Sequence, residues 1–378
     1  MNDHSKWQPN MTPIATRRLR RTTASLSVLG FGGGAIGELW SPIPERQAME
    51  TVNAAHAAGI SYFDTAPWYG RGLSEHRIGS ALHGVDRSSF VLSSKVGRVL
   101  SAARPGVTFD RSPWVGGLDF GHRHDYSYDG IMRSFEDSQQ RLRMPRVDLL
   151  VIHDLDLMHH QTDAQVGAHM KQLVTSGWRA LEELKAGGAI AGIGAGINQP
   201  GTMRTFLDMV DVDFFLVALC YTLLDQTILE TEMDLAEARG VGFIIGGVFN
   251  SGILATGARS GARYNYALAS PDVLARVALI EAVCRDNGVP LLSAALQFPL
   301  GHPAVASVIP GALSPAEVAA NVTAFQTPIP DEFWDDLRGA GILRALVPVP
   351  RRGPGPKVVN TDTIRQNHAI PKQGRSDD

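Results

Sequence analysis

Four side chains that could exchange or hold a proton stand close to the ends of three apolar segments. Asp64, Lys95 and His153 each lie at such an end, and Tyr69 follows Asp64 by five residues. A phenol with a pKa near 10 exchanges protons poorly at neutral pH, and a neighbouring ammonium lowers that pKa. A carboxylate would keep the ammonium charged and oriented, and an imidazole could hold a substrate oxygen. These residue types predict interconversion of an alcohol and a carbonyl, in which a cofactor carries the hydride.

The elements that would position these residues alternate regularly along the chain. Runs with strand character cover Ser25–Phe31, Ile60–Thr65, Phe90–Val96, Val147–His153, Ile190–Ile197, Val212–Leu219, Val241–Gly247 and Val305–Pro310. Stretches with helical periodicity cover Pro44–Ala58, Tyr128–Met144, Met170–Ala186, Pro200–Val210, Gln226–Arg239, Pro271–Asn287 and Ser314–Ala324. Eight such units, with strands apolar on both faces, predict a (β/α)8 TIM barrel. A doubly wound open sheet is the alternative, but no G-x-G-x-x-G follows the first strand.

In a barrel of this kind, functional groups gather at the carboxyl ends of the strands. Adjacent parallel strands lie about 4.8 Å apart, so Asp64, Lys95 and His153 should converge, with Tyr69 folded over them. Each residue alone has a plainer interpretation as a helix cap or ion-pair partner, an exposed aromatic, a solvent-reaching lysine or a core histidine. Four of them at three successive strand ends favour a catalytic site.

Three segments fall outside this alternation. The long connection Leu100–Ser127, after the third strand, is rich in aromatic residues, which is typical of a lid or binding loop, although a packed surface excursion is the alternative. Trp114 and Tyr126 from this loop, with Trp68, are the predicted substrate contacts. We expect a flexible N-terminus over 1–15, a barrel domain over 16–345 and a disordered tail over 346–378.

The composition is that of an ordinary soluble protein. The 378 residues carry a formal net charge of -3 and are 44% hydrophobic, which gives no support to nucleic-acid binding. No apolar run approaches the roughly 18 residues needed to cross a bilayer. The arginines at 17–21 precede an apolar stretch as in an export signal, but glycines 32–34 interrupt it. With only two cysteines, the chain is expected to be cytoplasmic; its oligomeric state cannot be read from the sequence.

Several of these segments together resemble the aldo-keto reductase family over roughly residues 16–345. The resemblance rests on Ser61–Ala66, on Tyr69-Gly70 with Ser74-Glu75 after it, and on the strand ends at Lys95 and His153. It implies that Tyr69 donates or accepts the proton, that Lys95 and Asp64 tune it, and that His153 positions the carbonyl. The stretch Arg18–Leu39 resembles the family's N-terminal hairpin and first strand.

Within the family, four segments look closest to the D-threo-aldose 1-dehydrogenase branch, which includes L-fucose and pyridoxal dehydrogenases. They are Asp125–Gly130, Arg133–Glu136, His153–Asp156 and Phe249–Gly252. This resemblance implies oxidation of an aldose at C1, with pyridoxal oxidation or general reduction of aldehydes and ketones as alternatives. The expected partner is therefore a small sugar or aldehyde.

The expected cofactor is NAD or NADP, held after several strand ends. The predicted contacts are Gly33, Asn198, Ser251, Gly252, Leu254, Ser314, Glu317 and Asn321. After the seventh strand, a glycine and a hydroxyl would let backbone amides approach a pyrophosphate, although an ordinary turn is the alternative. Ser314 followed by proline is a good helix start.

Comparison with the family's pattern favours NAD. In NADP-preferring relatives the positions of Gly311 and Glu317 carry Lys and Arg, which bind the 2′-phosphate. Glu317 would repel that phosphate but could accept a hydrogen bond from a free 2′-hydroxyl. The resemblance further places Ala218 where the family often has Gln, gives the amide-binding role to Asn198, and leaves the nicotinamide-stacking aromatic as Phe249 or Tyr221.

Two other classes remain in competition. A metal-dependent barrel hydrolase would use His153, Asp154, His122, His124, His159 and His160. Adjacent pairs splay apart, and the one H-x-H pattern lies in the long loop, so we predict no metal. A regulatory protein on the same fold is the second alternative, which the intact set of four residues disfavours.

Overall fold

The computed structural model describes residues 14–103, 106 and 109–351. The described chain opens with an antiparallel hairpin of β1 (Thr16–Arg18) and β2 (Ser25–Ser27). Its turn packs against the first residues of two barrel strands, since a Cβ on Gly192 would lie 2.7 Å from Thr22 and one on Gly242 would lie 3.0 Å from Leu19. The hairpin therefore closes the amino-terminal end of the barrel.

Among the described residues, eight parallel strands form the barrel. They are β3 (Phe31–Gly32), β4 (Tyr62–Asp64), β5 (Val91–Val96), β8 (Leu149–Ile152), β9 (Gly192–Ile197), β10 (Phe214–Ala218), β11 (Gly242–Gly246) and β14 (Val305–Ile309). Each pairs with the next in this order, and a parallel bridge between Leu29 and Val308 closes the ring. The prediction of a (β/α)8 barrel with an N-terminal hairpin is confirmed.

The first predicted strand was wrong in extent. Of Ser25–Phe31, the first three residues belong to the hairpin, and the barrel strand itself is only Phe31–Gly32. This strand comes very close to β14, because a Cβ on Gly32 would lie 2.7 Å from the Ile309 carbonyl oxygen. An apolar run cannot reveal that the chain changes sheets in its middle.

Helices surround the barrel. They are α1 (Glu45–Ala57), α2 (Leu73–Leu82), α3 (Tyr128–Leu142), α4 (Leu157–His160), α5 (Asp163–Gln172), α6 (Trp178–Ala186), α7 (Thr202–Met209), α8 (Asp234–Ala238), α9 (Ile253–Thr256), α10 (Pro271–Asp286), α11 (Leu291–Gln297), α12 (Pro315–Gln326) and α13 (Asp331–Gly339). π-Helical turns at Leu173–Gly177 and Leu229–Met233 precede α6 and α8. The predicted helix Met170–Ala186 therefore begins earlier, at Asp163, and is interrupted. None of the described helices is long and apolar enough to cross a membrane.

The long connection after the third strand is largely an antiparallel ribbon. Strand β6 (Arg98–Ala102) continues almost directly from β5 and pairs with β7 (Phe120–His124). A second, smaller hairpin, β12 (Arg263–Tyr264) with β13 (Ala267–Leu268), follows β11. Both emerge beyond the carboxyl ends of barrel strands, where functional loops are found in this fold.

The end of the described chain is packed on the barrel. Val347 is 1% exposed, and its carbonyl oxygen accepts a hydrogen bond from Arg338. A Cβ on Gly301 would touch the backbone of Val349. The tail expected over 346–378 thus begins within ordered structure, and its remainder, 352–378, lies outside the described residues, as does 1–13 of the expected N-terminal segment.

Candidate active site

A buried ion pair joins the ends of β4 and β5. The Lys95 ammonium donates to Asp64 Oδ2 at 2.6 Å and to the Thr65 carbonyl at 2.8 Å, while Ser93 donates to Asp64 Oδ1 at 2.7 Å. Both charged side chains are 2% exposed. Because ions this deeply buried need partners, the arrangement fixes both groups in one geometry.

Tyr69 lies over this pair, as the sequence predicts. The Lys95 ammonium is 4.5 Å from the centre of its ring, and the His153 ring meets it edge-on at 5.8 Å. Tyr69 is half-buried and sits in a turn between β4 and α2, where its amide donates to Ala66 and its carbonyl accepts from Ser74. The structure therefore brings Asp64, Tyr69, Lys95 and His153 together; we call these four residues the tetrad.

The pKa of Tyr69 moves in the direction opposite to the prediction. Burial raises it well above the usual value, the carboxylates of Asp64 and Asp154 raise it further, and the guanidinium of Arg98 lowers it. The Lys95 ammonium does not lower the pKa of Tyr69 as predicted, because its charge is paired with Asp64 at 2.6 Å. The phenol is thus held neutral at physiological pH.

His153 ends β8 with its imidazole enclosed. It is 6% exposed, and its Nδ1 is buried with no hydrogen-bond partner among the described residues. Burial lowers its pKa well below the usual value, against the opposing effect of Asp154, whose Oδ2 lies 3.4 Å from Nε2. The imidazole is therefore neutral at physiological pH and can orient an oxygen without carrying a charge.

Sequence reasoning missed a second buried ion pair beside the tetrad. Arg98 donates to Asp154 at 2.7 Å, and both side chains are at most 6% exposed. The guanidinium also lies 4.4 Å above the Trp68 ring and 3.0 Å from His122. Arg98 follows Lys95 by only three residues, but the sequence does not show that the β6–β7 ribbon directs the Arg98 guanidinium toward Asp154.

The predicted substrate contacts divide into two groups. Trp68 is half-buried, and Trp114 packs 5.9 Å from the Tyr69 ring with only 5% of its surface exposed. Tyr126 was wrongly predicted to contact the substrate, because it is fully buried and donates its hydroxyl to the His153 carbonyl at 2.7 Å. Its ring fills the space beside Gly97, where a Cβ would lie 2.2 Å away. Tyr126 therefore stabilises the backbone position of His153 through this hydrogen bond.

Asn198 is oriented by two carboxylates. Its amide nitrogen donates to Asp154 at 3.1 Å and to Asp156 at 2.9 Å. Both amide protons are thereby used, so its side-chain carbonyl oxygen is the atom left to accept a hydrogen bond. An acceptor at this strand end fits the carboxamide of a nicotinamide, as predicted for Asn198.

The two candidates for the stacking aromatic differ in burial. Tyr221 is fully buried against Phe298 and His302, which excludes it. Phe249, beyond the end of β11, is half-buried and remains the candidate.

The segment after β11 meets the prediction only in part. Ser251 and Gly252 both have positive φ, at 64° and 103°, and form a tight turn on the barrel rim. Leu254 was wrongly predicted as a cofactor contact, because its side chain is fully buried and its amide already donates to Phe249. Gly33, after β3, is also buried and donates to the Asp64 carbonyl at 2.7 Å, which ties the first strand end to the tetrad.

The amino terminus of α12 carries the remaining predicted contacts. Ser314 caps the helix by accepting from the Glu317 amide at 3.2 Å, and the Glu317 carboxylate accepts from the Leu313 amide at 2.8 Å. Asn321, 7% exposed, donates to the Gly311 carbonyl at 3.4 Å. Glu317 therefore places its negative charge at the start of this helix.

The structure contains one cluster with metal-ligand chemistry within its described part. Asp154, Asp156 and His159 offer ligand atoms within 4.8 Å of one another. These groups already have partners, since Asp154 binds Arg98 and His159 Nδ1 lies 2.7 Å from Asp156. Of the histidines in the metal alternative, His122 contacts Arg98, and the His124 ring packs 4.3 Å from that of His160.

Comparison with known proteins is consistent with this geometry. Residues 28–342 match the model of the aldo/keto reductase family. The chain belongs to the aldo/keto reductase family. A pyridoxal 4-dehydrogenase from Microbacterium luteolum is 41% identical over 86% of this chain and 97% of its own length. A D-threo-aldose 1-dehydrogenase from a Pseudomonas species is 34% identical over 86% and 96%.

A solved structure supports the same assignment. An aldo-keto reductase from Bacillus halodurans, in its holo form, superimposes with a TM-score of 0.66 at 26% identity, covering 86% of this chain and 96% of that one. The protein is therefore an oxidoreductase of a family that uses NAD(P). The resemblance found in the sequence, including its dehydrogenase branch, is confirmed.

The raised pKa of Tyr69 predicts different pH profiles for the two reaction directions. With Tyr69 as the proposed proton acceptor, oxidation would require the phenolate, so kcat/KM at saturating cofactor should rise about tenfold per pH unit between pH 7 and 9. Reduction requires the neutral phenol and should be nearly flat over that range. Initial rates in both directions test this; a plateau of the oxidation profile near neutral pH would show that the phenol is acidic after all.

Proposed function

We propose that this aldo-keto reductase is an NAD-preferring dehydrogenase that oxidises a cyclic hemiacetal to a lactone, with a free aldose oxidised at C1 as the first candidate substrate. The observation that carries the proposal is the tetrad, with Tyr69 above the buried Lys95–Asp64 pair and edge-on to His153. The likeness to dehydrogenases among the relatives supports the oxidative direction.

The chain's own residues handle the proton and the substrate oxygen. As the phenolate, Tyr69 takes the hydroxyl proton in oxidation, and as the neutral phenol it returns that proton in reduction. The neutral His153 orients that oxygen, and the Lys95–Asp64 pair holds a charged group beneath the phenol. Arg98 is the nearby cation that favours the phenolate when a proton must be accepted.

The residues at the strand ends fit a nicotinamide dinucleotide. Asn198 offers an acceptor for the carboxamide and Phe249 a half-buried ring, while the turn at Ser251 and Gly252 and the start of α12 would hold the phosphates and ribose. Asn321 lies on the same face of α12 as Glu317. When bound, the cofactor accepts the hydride in oxidation.

Preference for NAD should follow from Glu317. We expect kcat/KM with NAD to exceed that with NADP by at least about tenfold, and Glu317→Arg combined with Gly311→Lys to lower this ratio by about tenfold or more, because a guanidinium can bind the 2′-phosphate. Glu332→Arg, which makes the same Glu-to-Arg change on α13 instead of α12, is the control for Glu317→Arg and should leave the ratio unchanged. A clear preference of the unaltered enzyme for NADP would reject the argument.

Pyridoxal is the second candidate, favoured by the 41% identical relative and by aromatic side chains around the site. Pyridoxal, like an aldose, can close to a ring-borne hemiacetal, so the same chemistry serves both. The test is to follow NADH absorbance with a panel of free aldoses, pyridoxal and acyclic aldehydes. The proposal expects the highest kcat/KM with a cyclic hemiacetal; turnover of acyclic aldehydes alone, in reduction, would overturn it.

A further inference from the structure

We propose that Tyr266 and Trp40 form an aromatic wall that binds the ring of a cyclic substrate beside the tetrad and so selects ring-borne over acyclic substrates. Trp40 lies beyond β3, and Tyr266 is at the tip of the β12–β13 hairpin. The inference rests on the proposed function for the choice of hemiacetal, and it adds the residues that recognise the ring.

The backbone at Tyr266 is unusual. The two residues of the hairpin turn, Asn265 and Tyr266, have φ values of 47° and 69°. A two-residue turn with both φ values positive matches the twist of its strands but favours Gly, and an aromatic residue occupies it at an energetic cost. Conformations of this kind persist where surrounding structure enforces them and a function uses them.

Surrounding contacts do enforce the conformation. The Tyr266 amide donates to Ser251 Oγ at 2.8 Å. The Asn250 side chain donates to Asn265 at 3.0 Å and to the Leu219 carbonyl at 3.1 Å, which ties the turn to the rim of the barrel beyond β10 and β11. Asn250 itself is fully buried.

The wall is open to an incoming molecule. The rings of Trp40 and Tyr266 lie 6.1 Å apart at 32°, with 37% and 47% of each side chain exposed. The Arg263 guanidinium lies 4.9 Å from the Trp40 ring, on the same hairpin as Tyr266. Large aromatic surfaces left uncovered at the mouth of a site are typical of ligand contacts.

The segment that carries Trp40 packs on the turn that carries Tyr69, since a Cβ on Gly37 would lie 2.8 Å from the Tyr69 carbonyl carbon. Burial among the surrounding protein raises the pKa of the Tyr266 phenol, the Tyr69 phenol and the Asp154 carboxylate raise it further, and the Lys95 ammonium lowers it. The Tyr266 phenol thus lies close enough to Tyr69, Asp154 and Lys95 to interact with them electrostatically. A substrate oxygen at Tyr69 would therefore place the rest of its ring against the wall, where aromatic faces bind the apolar face of a sugar or a pyridine.

The decisive variant is Tyr266→Gly, because glycine suits the turn while removing the ring. We expect an unchanged or higher Tm, unchanged NADH binding, and a fall of about tenfold or more in kcat/KM for ring-bearing substrates, mainly through KM. The acyclic aldehyde methylglyoxal should change less than about threefold. Trp40→Ala should act in the same direction, and Tyr266→Phe should retain the ring preference if stacking carries it.

Leu268→Ala, which alters a 70% exposed side chain on the same hairpin, is the matched control and should change neither substrate class. Equal losses for both classes together with weaker NADH binding would overturn the proposal, as would a lower Tm for Tyr266→Gly. If the unaltered enzyme oxidises no hemiacetal, the proposed function fails on its own; the wall is then tested by the ratio of pyridine-3-carbaldehyde to methylglyoxal reduction.

Discussion

Replacing Tyr69 with phenylalanine is expected to lower kcat by about 10³-fold, within the range of about 10² to 10⁴ that positioned proton transfer contributes. The centre of the Tyr69 ring lies 4.5 Å from the Lys95 ammonium, and the His153 ring meets it edge-on. No other tetrad member can replace it, since Lys95 is locked to Asp64 and the His153 pKa is lowered by burial. Initial-rate assays of kcat provide the measurement, with the preferred hemiacetal for oxidation and its carbonyl product for reduction.

Two controls separate chemistry from folding. NADH binding, followed by fluorescence, and Tm should be unchanged in Tyr69→Phe, because the aromatic ring and its packing on Trp114 are retained. Tyr128→Phe removes a phenol on α3 that donates to Glu183 and makes no hydrogen bond to a tetrad residue within the described part of the chain, so it should leave kcat unchanged. Turnover of Tyr69→Phe at the parental rate would refute the assigned proton transfer.

The Lys95→Met variant should have a lower free energy of unfolding and a lower activity than the unaltered protein. The substitution preserves most of the side-chain volume but leaves the Asp64 carboxylate, 2% exposed, without its cation. Breaking one side of a buried ion pair costs about 3–5 kcal/mol of the free energy of unfolding. Activity should fall with it, because Tyr69 loses the charge beneath its ring. Urea unfolding with initial-rate assays measures both effects.

The double variant Asp64→Asn with Lys95→Met tells the two effects apart. Removing both charges should restore most of the lost stability, since no ion is left buried without a partner. Activity should stay low, because the orienting charge is still absent. Recovery of activity along with stability would mean that the pair serves only the fold.

The tetrad could be predicted from sequence because each member is tied to a strand end, and strand ends converge in any parallel barrel. The pKa of Tyr69 could not, because it depends on Asp154 and Arg98, which other strand ends and the ribbon bring near. The direction of a pKa shift depends on burial and on every neighbouring charge. The spacing of residues along the sequence does not show how deeply a side chain is buried.

Burial likewise explains the two wrong contacts. Tyr126 and Leu254 both stand in segments that reach the site, yet their side chains turn into the protein. The same criterion disfavours Tyr221, which is fully buried, and keeps the half-buried Phe249 as the candidate for the nicotinamide. Sequence reasoning did not single out Tyr266, because the positive φ values of its turn are not visible in any periodicity.

The short hairpin of β1 and β2 covers the amino-terminal end of the barrel. Leu19 and Leu26 from this hairpin are fully buried with Phe214, Leu216 and Ile244 in the interior layer. The hairpin thus closes one end of the barrel, whereas every candidate ligand contact lies at the other end. Evolution or engineering can therefore rewrite the rim around Trp40 and Tyr266 without disturbing the part of the molecule that keeps it folded.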